Sequence, residues 1–248
     1  MSRSDPFPAS APAPSRKGSE QGNNDAFHTL SGLLNTRYSC RAFLPDPLPR
    51  ATIDQMLATA QRTASWCNAQ PWQLTIASGA SLAHLRDALQ THIAAATSPP
   101  TPDLPWPREY RGVYQARRRE CGWGLYAALG IDKSDREASA RQAAQNFTMF
   151  GAPHVAIVTS DEALGVYGAV DCGAYVSNFM LAAHSLGVGS IAQAALASFP
   201  SVLREVLDIG ADRTIVCGVS FGNADLQHPA NRFRTTRAAP GDNVIWRD

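Results

Sequence analysis

Residues 167–186 constrain this chain more than any other stretch. Val170, Ala174, Tyr175, Phe179, Ala182 and Ala183 recur there at helical spacing, and Asp171 is the one residue charged at neutral pH. A helix with so little polar surface must be covered on most sides, so the sequence predicts a buried central helix with other layers packed around it. Those layers are legible. Thr52 and Gln55 form a capping-box pattern ahead of Ile53, Met56, Leu57 and Ala60, which predicts a helix over 52–63. Trp72, Leu74 and Ile76 alternate as in a strand, and Ser81 is placed to cap a helix carrying Leu82, Leu85, Leu89 and Ile93. Helices are expected near 110–129 and 134–149, the second opening on Ser134 and Glu137, and another from Pro200 to Leu207. His154–Ser160 and Thr214–Val219 read as strands. Strands interspersed with helices in mixed order give an α+β class or a three-layer sandwich.

The N-terminal 26 residues, rich in Pro, Ser, Ala and Gly, lack the apolar periodicity that would order them, and are expected to be a disordered tail before one domain over 27–248. In that domain Leu30, Leu33 and Leu34 predict a short first helix. Five prolines within 97–108 exclude regular structure and mark 95–145 as an insertion or lid. A hydrophobic share of 44% with 17% charged residues describes a packed globule, and a net charge of +1 argues against a nucleic-acid footprint. No apolar run is long enough for a membrane helix and no signal-peptide h-region is present, so no membrane partner is expected. The five cysteines stand singly, as reduced thiols of a cytoplasmic protein do. Six histidines show no metal spacing, and no metal is expected.

Two motifs suggest functions that their context denies. Gly187-Val188-Gly189-Ser190-Ile191-Ala192 spells G-x-G-x-x-A, with Asp208 about 20 residues on, but it comes after a helix where a dinucleotide fingerprint requires a strand. Gly218-Val219-Ser220-Phe221-Gly222 spells a nucleophile elbow, yet the polar run Asn223–Pro229 replaces the helix an elbow must enter. The run Arg117-Arg118-Arg119 reads either as a solvated helix face or as a contact for an anionic ligand.

Two further segments carry donors suited to a phosphorylated, flat, polar-edged ligand. Arg37, Ser39 and Arg41 offer two forked cations and a hydroxyl within five residues, which suits phosphate and suits a charged surface equally. Asn68 and Gln70, in Ser65-Trp66-Cys67-Asn68-Ala69-Gln70-Pro71-Trp72, both donate and accept, as the pyrimidine edge of a flavin demands; structurally the same loop is a polar helix-to-strand connection.

Arg-x-Ser-x-Arg, then Ser-x-x-Asn-x-Gln-Pro-Trp, then Leu-Gly-x-Gly-x-x-x-Gln-x-Ala, then Arg-x-x-Arg and a closing Trp, spread over 28–246, resemble the FMN-dependent nitroreductase family. Ser65-Trp66-Cys67-Asn68 resembles its nitrobenzoate-reductase-like branch.

The resemblance implies a nitroreductase-like three-layer α/β/α sandwich, with a mixed, mostly antiparallel sheet around a buried central helix. It implies that Arg37, Tyr38, Ser39 and Arg41 hold the phosphate and ribityl side of FMN, and that Asn68 and Gln70 address its ring and polyol. Ile191, Ala192, Gln193, Ala194 and Ala195 would pass beside the reactive N5 edge with backbone donors, and Arg237, with Arg234, would reach the phosphate. Many relatives carry Pro and Glu in that N5-edge segment; here Ala192 and Ala194 stand there, so tuning by such an acid is absent. The implied activity takes electron pairs from NADPH or NADH and gives them to a nitroaromatic or quinone-type acceptor by a ping-pong mechanism, with chemistry on FMN and no protein nucleophile. The implied assembly is a homodimer with FMN at the interface. A flavin-binding protein that does not reduce, acting as sensor or store, and a related dehalogenase or oxidase would use the same residues. Trp106, Tyr110, Tyr114 and Trp123 are candidates for lining the acceptor slot.

Overall fold

A computed structural model describes residues 20–95 and 99–247. The chain divides into two units, Met1–Thr36 and Arg37–Asp248. In the first, α1 (Glu20–Thr36) is the described element. Residues 1–19 of the expected tail lie outside the described residues. Residues 20–26, expected to belong to that tail, are helical, because each residue added to an existing helix gains a hydrogen bond, and propagation runs past the apolar repeat that marks the nucleus. Phe27, Leu30 and Leu34 on α1 are exposed.

The second unit is built on a four-stranded antiparallel sheet in the order β1 (Gln73–Ser78), β2 (His154–Asp161), β4 (Arg213–Gly222), β3 (Gly189–Gln193). One isolated parallel bridge, Ser39 to Ser190, makes it mixed at that edge. β2 is buried from His154 to Ser160 and feeds both faces. Val155 and Ile157 point with Ala77, Ile191 and Ile215 toward Leu82, Leu85 and Leu89 of α3 (Gly79–Ala95) and Leu203 of α7 (Pro200–Leu207). Ala156 and Val158 point with Val219 and Phe221 toward Met56 of α2 (Arg50–Ala60) and Tyr175 and Phe179 of α6 (Gly165–Ser185). This two-residue alternation under helices on both sides is the three-layer sandwich.

Helix boundaries moved for local reasons. α2 starts at Arg50 because the Pro49 carbonyl takes the amides of Thr52 (3.0 Å) and Ile53 (3.3 Å), and it stops at Ala60, whose carbonyl accepts the Thr63 amide (3.0 Å) and hydroxyl (2.7 Å). α3 leaves β1 directly through Gly79 (φ 55°), so Ser81 lies inside it and caps nothing. α4 (Gly112–Ala128) matches its expected span, but α5 (Arg136–Ala144) is shorter. The α5 cap is Asp135, whose carboxylate accepts the Ala138 amide at 2.8 Å, while Ser134 turns back to Asp132. A 3-10 turn with Met149 and Phe150 in the left-handed region replaces the expected helical end.

The expectation that α6 is covered on most sides fails within the chain. Cys172, Tyr175, Val176, Phe179 and Ala183 face the sheet, but Val166 (73% exposed), Tyr167 (60%) and Val170 (58%) face outward, because one sheet can cover only one side of a helix. Both misleading motifs resolve here. Gly187 (φ 74°) closes α6 as a Schellman cap, with its amide on the His184 carbonyl (3.0 Å) and the Val188 amide on the Ala183 carbonyl (2.9 Å). Ser220 lies buried inside β4, its hydroxyl given to Gln193, so it is no nucleophile.

Candidate functional site

Residues 37–43 run beside the outer edge of β3. The Cys40 amide donates to the Ser190 carbonyl at 3.0 Å, and a Cβ on Gly189 would crowd Cys40 Sγ at 3.0 Å and Ala224 Cβ at 3.1 Å, so glycine eases this approach. An extended segment spaces side chains four residues apart by about 13 Å, so Arg37, Ser39 and Arg41 can address one elongated ligand at three points. Asn231, 3% exposed, joins the C-terminal segment to this one: it accepts the Arg41 amide at 2.7 Å and donates to the Ala42 and Asp225 carbonyls, both at 2.8 Å. The sequence reading missed Asn231. Its only signal was a turn-forming His228-Pro229-Ala230-Asn231, which carries no periodicity.

The join brings Arg234 and Arg237 near Arg37, with Arg41 further along the same segment. Arg234 lies over the Tyr38 ring at 3.8 Å and donates to the Asn231 carbonyl at 2.7 Å. Burial, then the nearby Arg237, pushes the Arg37 guanidinium below its ordinary range, while burial lowers Arg41, which donates to the Ser39 carbonyl at 3.3 Å. His184, at the end of α6, is pushed down by burial, Arg37 and Arg234 in that order. Among the described residues none of these four arginines forms an ion pair with a carboxylate. A half-buried cation near a second cation is unfavourable unless an anion joins them, and Arg37 with the exposed Arg237, one nitrogen of which donates to Thr235 Oγ1 (2.6 Å) and the Thr236 carbonyl (2.7 Å), matches a phosphate dianion in charge.

Next to them β3 offers backbone. The Ser190 carbonyl points outward to Cys40, so by strand alternation the N–H and C=O of Ala192 also face the outer edge, away from β4. Ala192 and Ala194 are exposed and Ala195 is half-buried. Ile191 faces the core. Gln193 is 2% exposed, with its amide nitrogen on Asn146 O (2.9 Å) and Oδ1 (3.2 Å) and its oxygen on Ser220, so its side chain locks β3 in place and only its backbone lies beside the ligand edge.

Asn68 and Gln70 are elsewhere. Their loop packs on the start of α6: Trp66 meets Tyr167 edge-on at 4.5 Å, and its amide donates to Asp171 at 3.1 Å. His184 ends the same 21-residue helix, so about 25 Å of α6 separates this loop from the arginines within one chain. Cys67, Asn68 and Gln70 all have φ near +50°, a strain on the order of 1 kcal/mol each for residues other than glycine. The amides of Asn68, Ala69 and Gln70 are spent internally, on the Ser65 carbonyl, the Trp66 carbonyl and Ser65 Oγ in turn. The Gln70 amide oxygen accepts from Gln61 at 3.0 Å. The loop therefore presents side chains, the Asn68 amide foremost, on an exposed surface.

A cavity of about 900 Å³ adjoins the arginines, with Val113, Arg117 and Cys121 of α4 on one wall and Phe233, Arg234 and Arg237 on the other. Thr236 donates to Glu120 at 2.9 Å across it, and Phe233 packs so close that a Cβ on Gly124 would lie 2.6 Å from its ring. The aromatic residues expected to line a slot do not line this one: Trp106, Tyr110 and Tyr114 are exposed, and Trp123 packs on Tyr126 and Lys133. Among the described residues no cluster has metal-ligand geometry, and no helix is long and apolar enough to cross a membrane.

The sequence pattern of the "Nitroreductase family" matches residues 34–223. A curated relative, the 4-nitrobenzoate reductase of Nocardioides sp. (strain LMS-CY), is 33% identical over 231 residues, 90% of this chain and 92% of the relative. The nitroreductase NfnB of Mycolicibacterium smegmatis is 35% identical over 86% of this chain and 91% of its own length. The crystal structure of the FMN-dependent NfnB from Mycobacterium smegmatis in complex with NADPH superposes with TM-score 0.85 at 32% identity, covering 90% of this chain and 100% of that one.

Proposed function

The chain belongs to the nitroreductase family, and from that premise we propose that its arginine cluster and open β3 edge hold FMN, making it an NAD(P)H-dependent oxidoreductase that reduces nitroaromatic or quinone-type acceptors. One observation carries the proposal: Arg37, Arg234 and Arg237, which among the described residues have no carboxylate partner, gather beside the β3 edge of the sheet, where the Ala192 backbone faces outward and Arg41 follows two residues after Ser39. Arg37 and Arg237 would hold the FMN phosphate, Ser39 its polyol, and Arg41 would offer positive charge to the polar edge of the ring. The Ala192 amide and the backbone through Ala195 line the N5 side. FMN, when bound, supplies the redox chemistry, taking a hydride from the nicotinamide and returning two electrons to the acceptor. The protein's share is to bind, orient and exclude water. Donor and acceptor use the same slot in turn, which gives ping-pong kinetics, and within the lid segment 95–145 it is α4 and α5, neither with a buried residue, that close over it, while Asp103 is held by Arg204 and the Ile215 amide.

The site is completed by a second copy. A two-fold pairing through the exposed face of α6 sets the two helices antiparallel, bringing the partner's Trp66–Gln70 loop to the end where Arg37 lies. Exposed Val166, Val170 and Ala174, and the exposed Val244, Ile245 and Trp246 of the C-terminal tail, supply the apolar area for such a homodimer. Five thiols without a disulfide suit the cytoplasm. The test is reconstitution: protein incubated with FMN and desalted should keep a yellow flavin spectrum that bleaches on anaerobic addition of NADPH or NADH. A colourless protein rejects the reading; a yellow one that does not bleach makes it a non-reducing flavin binder.

A further inference from the structure

The run Arg117-Arg118-Arg119 is still unexplained by the FMN site. The three residues have different fates. Arg118 lies over the Tyr110 ring at 5.1 Å and Arg119 is exposed, whereas Arg117 is half-buried and turns into the 900 Å³ cavity. Among the described residues Arg117 has no hydrogen bond to a side chain and no ion pair, although the cavity lining includes Glu120 and Asp242. Glu120 is engaged by Thr236. On the proposed FMN site the phosphate does not need Arg117: Arg37 and Arg237 lie near enough to feel each other's charge, and two guanidinium groups match one dianion. Arg117 comes from the opposite wall, α4, in the segment without buried residues. The cavity is near the upper end of the range of small-molecule sites, so it has room for a further ligand group beyond one phosphate.

We propose that Arg117 recognises an oxyanion on the molecule that enters this cavity to exchange electrons, either the 2′-phosphate of the nicotinamide donor or a carboxylate on the aromatic acceptor. The proposal rests on the FMN reading and names the specificity residue of that same site. A forked, charge-assisted pair with an oxyanion selects ligands that carry one, and rejection of the neutral analogue results because Arg117 then has no partner. A cation that pairs with the oxyanion and touches no reacting atom acts on binding and leaves the electron transfer itself alone.

The experiment compares holoenzyme, Arg117→Gln and Arg119→Gln, the last removing the same charge from an exposed neighbour. KM and kcat are measured for NADPH and NADH, and for 4-nitrobenzoate and nitrobenzene, with the FMN dissociation constant read by flavin fluorescence. Arg117→Gln should raise KM about tenfold for NADPH relative to NADH, which assigns the 2′-phosphate, or for 4-nitrobenzoate relative to nitrobenzene, which assigns the carboxylate. In either case kcat should stay within about twofold, FMN affinity should be unchanged, and Arg119→Gln should match wild type. Equal changes within both pairs, no change in either, or weakened FMN binding overturns the proposal. Wild type that neither holds FMN nor oxidises nicotinamide overturns the FMN reading as well, which separates the two failures.

Discussion

A guanidinium set next to another guanidinium is waiting for an anion, and Arg37 beside Arg237 is the sharpest instance here. A charge-assisted hydrogen bond is worth about 1.5–3 kcal/mol, so Arg237→Ala should weaken FMN binding about 10- to 100-fold, measured by fluorescence titration, with the melting temperature of the apoprotein unchanged or raised as the repulsion is relieved. A fall in apoprotein stability with FMN affinity intact would make Arg237 a structural residue. These cations were legible because Arg-x-Ser-x-Arg and Arg-x-x-Arg keep their spacing in the chain; Asn231, which holds the two segments together, was not, since a side-chain clip across 190 residues leaves no local pattern. His154 was equally silent. It is buried between Leu48, whose amide donates to Nε2 at 2.9 Å, and Ser78, whose hydroxyl oxygen accepts from Nδ1 at 2.5 Å. Burial holds it neutral, below the usual histidine range near 6.5. The unfolded chain therefore binds a proton first: the stability His154 contributes is complete above about pH 6.5 and is lost as pH falls from there toward the folded value. His184 is lowered in the same sense. Thermal melts of the apoprotein at pH 7.5 and 5.5 should show a loss of stability on acidification that His154→Gln reduces without abolishing, since His184 remains.

At the scale of elements, periodicity named nearly every helix and strand, because each buries one face and so repeats its apolar residues at 3.6 or 2. Its ends were less legible. Pro49 starts α2 by offering a carbonyl and Gly79 turns β1 into α3 without a cap, and neither device uses the capping pattern that the sequence displays nearby. α6 shows the deeper limit: an apolar pattern reports that a face is covered, never by what. Tyr175 and Phe179 are covered by the sheet, whereas Val166 and Val170 stay largely exposed among the described residues. The two faces should respond differently to substitution. Phe179→Ala removes a fully buried ring and should cost about 3–5 kcal/mol of folding stability by denaturant titration. Val170→Glu, on a surface 58% exposed, should leave the circular dichroism and fold of the subunit intact while abolishing its self-association. Were Val170→Glu to unfold the chain, its face would belong to the subunit's own core.

For the whole molecule, the separation of Asn68 from Arg37 along α6 is what links cofactor and assembly. The family resemblance implies both in one FMN site, and one subunit cannot unite ends some 25 Å apart on the same rigid helix. Two copies related by a two-fold axis can, because an antiparallel pair of α6 helices sets the beginning of one against the end of the other, forming two equivalent sites, each with arginines from one chain and an amide loop from its partner. On the proposed dimer, FMN retention should depend on protein concentration by mass action, since a ligand that binds only the dimer stabilises it. Light scattering should give a mass about twice that of the 26.6 kDa chain, and dilution should release FMN in step with dissociation. Mixing settles the geometry. Arg237→Ala and Asn68→Ala subunits, each impaired alone, should regain flavin binding when combined as a heterodimer, because one of its two sites would then draw Arg237 and Asn68 from opposite, unaltered sources. Complementation that never appears, or a monomer that holds FMN as tightly as the parent, would place both residues in one chain's site and remove the reason for the exposed face of α6.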